Sequence, residues 1–263
     1  MTLHAIRGFR LVTTDPDRLM RFYAAIGFAV GDTVRTGHGM RVRMQLGDTP
    51  VTLERFDRPG RPYPMAADAA SSCFQHLAIV TDDAATAWAL ADKAGATPIS
   101  RDGPVTLPAS SGGVTAIKCR DPQGHPLEFL QFPNMAAAGW PGRGILGIDH
   151  SAITVADGTR ARAFYCRHGL AEGKATHNHG PAQAALDGLD DPDALVVPLE
   201  PPISRPHLEL LAYRHPPVVG EPPALADIAA TRIVWDADEA GLWQDPDGHW
   251  HEAIAAPLSD TPS

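Results

Sequence analysis

The chain has 263 residues, 44% of them hydrophobic and 20% charged, which is enough to bury a sizeable core and long enough for two ordinary domains. Its formal net charge of −9, with no run of Lys or Arg, offers no electrostatic footprint for nucleic acid or an anionic membrane, so neither is expected as a partner. The opening MTLHAIRGFRLVTTDPD lacks the unbroken apolar stretch of a signal peptide, and no run nears the ~20 apolar residues needed to cross a bilayer; a cytoplasmic protein is expected.

Residues 5–13 read as a strand, after which Asp15 and Pro16 supply an N-cap and a first-turn proline. The following helix carries Leu19, Phe22, Tyr23 and Ile26 on one face and stops at Gly27. Within residues 74–132, QHLAIVTDDAATAWALADKAGA reads as strand and helix with Gly95 as the stop. GGVTAIKCRDPQGHPLEFLQF then reads as two strands joined by an Asp-Pro-x-Gly turn. Residues 148–170 repeat the first pattern, starting a helix near Asp157, facing it with Ala161, Phe164 and Tyr165, and stopping it at Gly169; DRLMRFYAAIGF and TRARAFYCRHGL align without a gap. TRIVWDAD and LWQDPDGHWHEAI repeat the strand and hairpin of the second pattern without its helix. The chain therefore divides into four units, 1–57, 72–133, 145–214 and a truncated 228–256, joined by Pro/Gly/Ala-rich linkers expected to cross the surface without adding to a core. Cys73, Cys119 and Cys166 are odd in number and set among apolar neighbours, as expected of reduced, packed thiols.

Each unit ends in a strand with a glutamate between apolar residues: Glu54 in VTLERF, Glu128 in PLEFL, Glu209 in HLELL and Glu252 in HEAI. A carboxylate there is costly unless it is paired or bound to a metal. Two opening strands carry a histidine, His76 in QHLAIV and His150 in DHSAITV, and strand alternation sets each on one face with its second neighbours. The intervals Glu54 to His76, Glu128 to His150 and Glu209 to Thr231 are all 22 residues, so the first-strand ligand positions are Gly8, His76, His150 and Thr231, of which two can bind metal.

The strand-borne His, the helix containing Phe-Tyr and the final-strand Glu after an Asp-Pro-x-Gly-His turn resemble the vicinal-oxygen-chelate superfamily of glyoxalases, extradiol dioxygenases and bleomycin resistance proteins. The likeness covers nearly the whole chain. It implies an α+β fold of repeated βαβββ modules forming two cupped mixed sheets, here four modules with the last truncated. Domains are expected at 1–134 and 145–257. It also implies one divalent metal ion (Zn, Ni, Co, Mn or Fe(II)) per complete cup, held by first- and last-strand residues of two modules. If the second module pairs with the third and the first with the fourth, His76, Glu128, His150 and Glu209 form one complete set, and every loss falls in the other cup. If neighbours pair, both cups are damaged. The first arrangement is therefore preferred.

The implied activity is a glyoxalase-like lyase or isomerase that stabilises an enediolate on the metal, with Glu128 and Glu209 as ligands and candidate bases for a small-molecule substrate. An Fe(II) extradiol dioxygenase and a metal-free resistance-type binder are the alternatives. Four modules close both cups in one chain, so a monomer or a homodimer is expected. Outside this set, His125 and His249 are read as hairpin-corner residues and His177 and His179 as parts of a solvated loop. Arg10 is read as a surface ion pair, or as a binder of an acidic substrate group if the first module contributes to a cup, and Tyr213 and Trp235 as cup-facing aromatics or core filling.

Overall fold

Three aspartates open three helices, one in each of the first three repeats. The computed structural model describes residues 1–203 and 205–255. The last residue of the predicted fourth unit and the last two of the predicted second domain lie outside the described residues.

The first module comprises β1 (Leu3–Val12), α1 (Pro16–Ala25), β2 (Ala29–Thr36), β3 (Gly39–Leu46) and β4 (Thr49–Phe56). The second has β5 (Gln75–Thr81), α2 (Ala84–Lys93), the short β6 (Thr97–Pro98) and β7 (Val105–Thr106), β8 (Thr115–Arg120) and β9 (Pro126–Gln131). In the third are β10 (Ile145–Thr154), α3 (Gly158–Arg167), β11 (Ala171–Glu172), β12 (Thr176–His179), α4 (Gly180–Asp187), β13 (Asp193–Glu200) and β14 (His207–His215). The fourth has only β15 (Arg232–Ala237), β16 (Gly241–Gln244) and β17 (Trp250–Ala255). The carboxylates of Asp15, Asp83 and Asp157 accept from backbone N–H groups of the first turns of α1, α2 and α3. Gly27, Gly95 and Gly169 follow those helices with φ of 92, 102 and 100°, a conformation that L side chains rarely adopt.

Strand pairing brings the second module to the third and the first to the fourth. A ten-stranded sheet runs β11-β13-β14-β10-β5-β9-β8-β6, with β12 also paired to β13 and β7 to β8, and a seven-stranded sheet runs β16-β17-β15-β1-β4-β3-β2. The central join is antiparallel in both, β5 with β10 and β1 with β15. The first half of the chain thus contributes four strands to the seven-stranded sheet and five to the ten-stranded one, and the second half three and five. The two modules within each stretch meet instead through buried hydrogen bonds: the Tyr23 hydroxyl donates to Asp121 Oδ2 (3.0 Å), and Tyr165 donates to Asp245 Oδ2 (2.7 Å).

Alternation along the strands sorts side chains between a shared core and two cups. Phe9, Leu53, Leu77, Phe129, Ile153 and Trp235 join Leu19, Phe22, Tyr23 and Tyr165 of the helices in one continuous cluster drawn from both sheets. Trp235 therefore fills the core rather than a cup, its indole N–H donating to His251 Nδ1 (3.0 Å).

Several expectations are corrected. The linkers do add buried clusters: Tyr63 and Cys73 pack on Ile228 and Ala229, and Ala69 and Ala70 on Phe74 and Tyr213. Cys166 is exposed, since it lies about 100° around α3 from the buried Tyr165, whereas Cys73 and Cys119 are buried. His177 and His179 lie on a strand, not in a loop, though both are exposed. The Arg10 pair proves to be mostly buried, as described below.

Candidate functional site

The four predicted residues lie on four adjacent strands of the ten-stranded sheet. In the parallel pair β5 and β9, Glu128 stands beside Ala78, two residues from His76 on the same face. In the parallel pair β10 and β14, Glu209 stands beside Ala152, two residues from His150. The antiparallel β5/β10 ladder sets His150 opposite Ala78 and His76 opposite Ala152. The result is a local two-fold arrangement with the histidines on a diagonal. Buried alanines occupy the positions between them and leave the centre open.

The donor atoms of His76, Glu128 and His150 all lie within 4.8 Å of one another. His76 Nε2 is 2.9 Å from Glu128 Oε2, and His150 Nε2 is 3.5 Å from Glu209 Oε2. Glu209 thus touches the trio through His150 and stands at its edge. A cavity of about 220 Å³ opens on all four. A larger one, of about 600 Å³, lies between the linkers around Tyr63 and Val219 and contains none of them.

Several neighbours of the set carry little or no sequence signature. Asp149 Oδ2 lies 3.0 Å from His150 Nδ1 and orients the ring. Plain alternation would send Asp149 to the opposite face from His150, but a register shift between Ile148 and His150 turns both inward. His207 lies two residues before Glu209, with its Nε2 3.4 Å from Glu209 Oε1; that alternation was readable in HLELL. Lys118 is directly opposite Glu128 in the β8/β9 ladder, its Nζ 4.0 Å from Glu128 and 2.6 Å from Asp187 of α4. A lysine between Ile117 and Cys119 in a buried strand is as anomalous as the glutamates, and the same test would have found it. Tyr213, expected to face the cup or fill the core, is buried and donates to Asp187 (2.7 Å). His125 holds its turn as expected, its Nδ1 against Asp121 (2.8 Å); in His249 only the backbone N–H does so, donating to Asp245 (2.9 Å), while the ring Nε2 reaches the Thr154 carbonyl on β10 (2.8 Å).

Charge states follow from these contacts. Burial favours the neutral His76 imidazole and lowers its pKa despite Glu128. Burial works against ionised Glu128, yet Lys118 and His76 hold its carboxyl down at about 2. His150 is also disfavoured as a cation by burial, but Glu209 and Asp149 raise it to about 9. Burial opposes ionisation of Glu209 too, and His150 and His207 more than offset it.

A divalent cation fits this set. Both ring nitrogens of the buried His76 lack a hydrogen bond of good geometry, although Glu128 is adjacent, and an imidazole without partners beside a carboxylate is a ready metal ligand. The positive charge that the acids impose on His150 is one that a cation would replace.

Residues 3–129 match the family model for the Glyoxalase/Bleomycin resistance protein/Dioxygenase superfamily. This stretch is a domain of the vicinal-oxygen-chelate superfamily. The matched stretch spans the first two modules, one from each sheet, so it follows module order along the chain rather than the composition of either cup.

Among solved structures, glyoxalase I from Zea mays is similar with a TM-score of 0.64 at 13% identity, covering 95% of this chain and 92% of that one. A provisionally assigned dioxygenase from Bacillus subtilis has a TM-score of 0.59 at 13% identity, covering 97% and 86%. At such identities the likeness is one of fold. No curated protein matches in sequence. Among the described residues, no helix is long and apolar enough to cross a membrane.

Proposed function

We propose that this vicinal-oxygen-chelate protein is a metal-dependent enzyme that moves a proton next to a carbonyl of a small molecule, in the manner of a glyoxalase-type lyase or isomerase. The observation that carries the reading is the convergence of His76, Glu128 and His150, with Glu209 at their edge, on one cavity. A bound divalent ion would supply Lewis-acid stabilisation of the negative charge that develops on the substrate oxygens. His76, already neutral, offers a lone pair without first losing a proton, and Asp149 orients His150. Glu128, pinned beside Lys118, suits a fixed ligand. Glu209 suits the proton acceptor, since it lies outside the compact trio and its side chain is still about a fifth exposed, at 19%. Domains at 1–134 and 145–257 remain part of this reading as duplicated halves, and one chain suffices to build the site.

A specific observation also favours a second reaction. The compact trio is two histidines and one carboxylate, the set that suits Fe(II) oxygen chemistry, so an extradiol-type dioxygenase is the second reading.

Elemental analysis of the purified protein, repeated on variants, tests the proposal. One equivalent of a transition metal is expected in the wild type and in Glu209→Gln, with strong loss in His76→Ala and Glu128→Gln. In the metal-loaded protein, Glu209→Gln should slow solvent deuterium exchange into small α-hydroxycarbonyl compounds by about 10²–10⁴-fold. A wild type without affinity for any of these metals sinks the proposal. Oxygen uptake on catechols with ferrous iron, without deuterium exchange, selects the second reading.

A further inference from the structure

The second cup has lost its histidines and gained arginines. By ladder position, Arg232 stands where His76 stands in the first cup, because Val234 pairs with Glu252 as Ala78 pairs with Glu128. The expected equivalent, Thr231, is one residue out of register. Gly8 occupies the place of His150, and a side chain there would collide with Pro50, since a Cβ would come within 2.4 Å of its carbonyl oxygen.

The Arg232 guanidinium pairs with Glu54 and reaches to 3.9 Å from Glu252. Both carboxylates are engaged further, Glu54 with Arg41 (2.6 Å) and Glu252 with Arg10 (2.6 Å). A built-in cation therefore stands between the two acids, where the first cup would take a metal.

These pairs form one boundary of a cavity of about 560 Å³ lined by Arg7, Arg10, Arg41 and Arg43, with no acidic residue among its lining. Arg10, Thr52 and Arg43 make a row across β1, β4 and β3, because each arginine pairs with Thr52 in its ladder. Among the described residues, Arg43 has no ion-pair partner, and Arg10 Nε is buried without a hydrogen-bond partner although its side chain is only 11% exposed. Burial lowers the Arg10 pKa despite Glu252. Arg7 is paired with Asp236 (2.8 Å), Arg10 with Glu252 and Arg41 with Glu54, so Arg43 carries the unbalanced positive charge of this concave surface in a molecule of net charge −9. Two guanidinium forks flanking a hydroxyl match the planar, multidentate geometry of carboxylate and phosphate oxygens.

We propose that this second cup is a metal-independent binding site for a small dianion, a phosphate ester or a dicarboxylate, read by Arg10, Thr52 and Arg43.

Calorimetric titration of the full chain at low salt, with inorganic phosphate and separately with succinate, tests the site and distinguishes the two sources. One equivalent per chain is expected for at least one probe, with a Kd of millimolar or tighter. Arg43→Gln should weaken it at least tenfold; having no ionic partner, that residue can change without unpairing a buried acid. The side-chain N–H resonances of Arg10 and Arg43 should shift with the titration, and that of Arg162, paired with Glu172 on the surface, should stay still. Arg162→Gln, in an exposed ion pair on α3, should leave the affinity within twofold. Failure of both probes to bind, or binding indifferent to Arg43→Gln, or binding abolished by Arg162→Gln, overturns the proposal.

Discussion

His251 is a fully buried imidazole adjoining Glu252 yet facing the other way, into the core. Its Nδ1 accepts from Trp235 and its Nε2 lies 2.9 Å from the Tyr165 hydroxyl, which itself donates to Asp245; the ring is satisfied as a neutral tautomer. Burial drives its pKa from an ordinary 6.5 down to about 4, despite the Asp245 charge. Between those two values the unfolded chain binds a proton that the native chain refuses, so stability is full above 6.5, falls as the pH drops from 6.5 towards 4, and levels off below that. From pH 7.5 to about pH 4.5 this single residue should remove about 2–3 kcal/mol. Urea unfolding of the wild type and His251→Gln at those two pH values checks it: the variant should lose correspondingly less on acidification, and an equal loss in both proteins refutes the assignment. At the same scale, what was legible depended on parity. His76, Glu128, His150 and Glu209 could be read because a lone ionisable residue within an apolar strand is conspicuous and the 22-residue interval from Glu to His recurs. Asp149 was hidden by a register shift that alternation does not foresee, and Asp187 sits in a short helix whose GPAQAALD sequence announces no chemistry.

At the scale of elements, the motifs that made the repeat visible turn out to be its joints. The Tyr of each Phe-Tyr helix and the Asp of each Asp-Pro-x-Gly-His turn meet as buried hydrogen-bonded pairs, Tyr23 with Asp121 and Tyr165 with Asp245. Those residues point into the shared core, away from the cups, and hold neighbouring modules together while their strands enter different sheets. Burial first, and then Asp121, pushes the Tyr23 hydroxyl's pKa far up, so it remains a donor throughout the accessible range. Removing that donor leaves Asp121 buried with only His125 and the turn amides. Tyr23→Phe should therefore cost about 1–3 kcal/mol, with the thermal midpoint falling by about 2–4 °C per kcal/mol at this chain length. Calorimetry reads both values, and an unchanged midpoint in Tyr23→Phe and Tyr165→Phe alike would show that the joints carry no load. Helix starts at Asp15, Asp83 and Asp157 were legible for a local reason, since a cap needs only the residues beside it. The packed linkers were not legible: their Pro- and Ala-rich composition gives no hint that Tyr63 and Ala69 find partners contributed by distant segments.

For the whole molecule, the pairing of modules decides what a half-chain can do. β5 and β1 each present a long edge, and in the full chain those edges are closed by β10 and β15 from the second half. Two incomplete residue sets in sequence order become one complete cup and one arginine cup only through this exchange. That much could be argued from the distribution of histidines alone, because a single damaged cup requires fewer coincident losses than two. A fragment of residues 1–134 would retain Glu128 and His76 but expose two unpaired inner strands and the apolar faces behind them. Exposed edges of that length recruit another chain. The fragment is expected to be dimeric or aggregated by light scattering at micromolar concentration, and to hold metal only when two copies bring two β5 strands together. Co-expression with residues 135–263 should restore a one-to-one complex with the metal stoichiometry of the intact protein. A monomeric, stably folded 1–134 fragment would mean that the strands re-pair within the first half, and that the observed exchange between halves is not what the sequence requires.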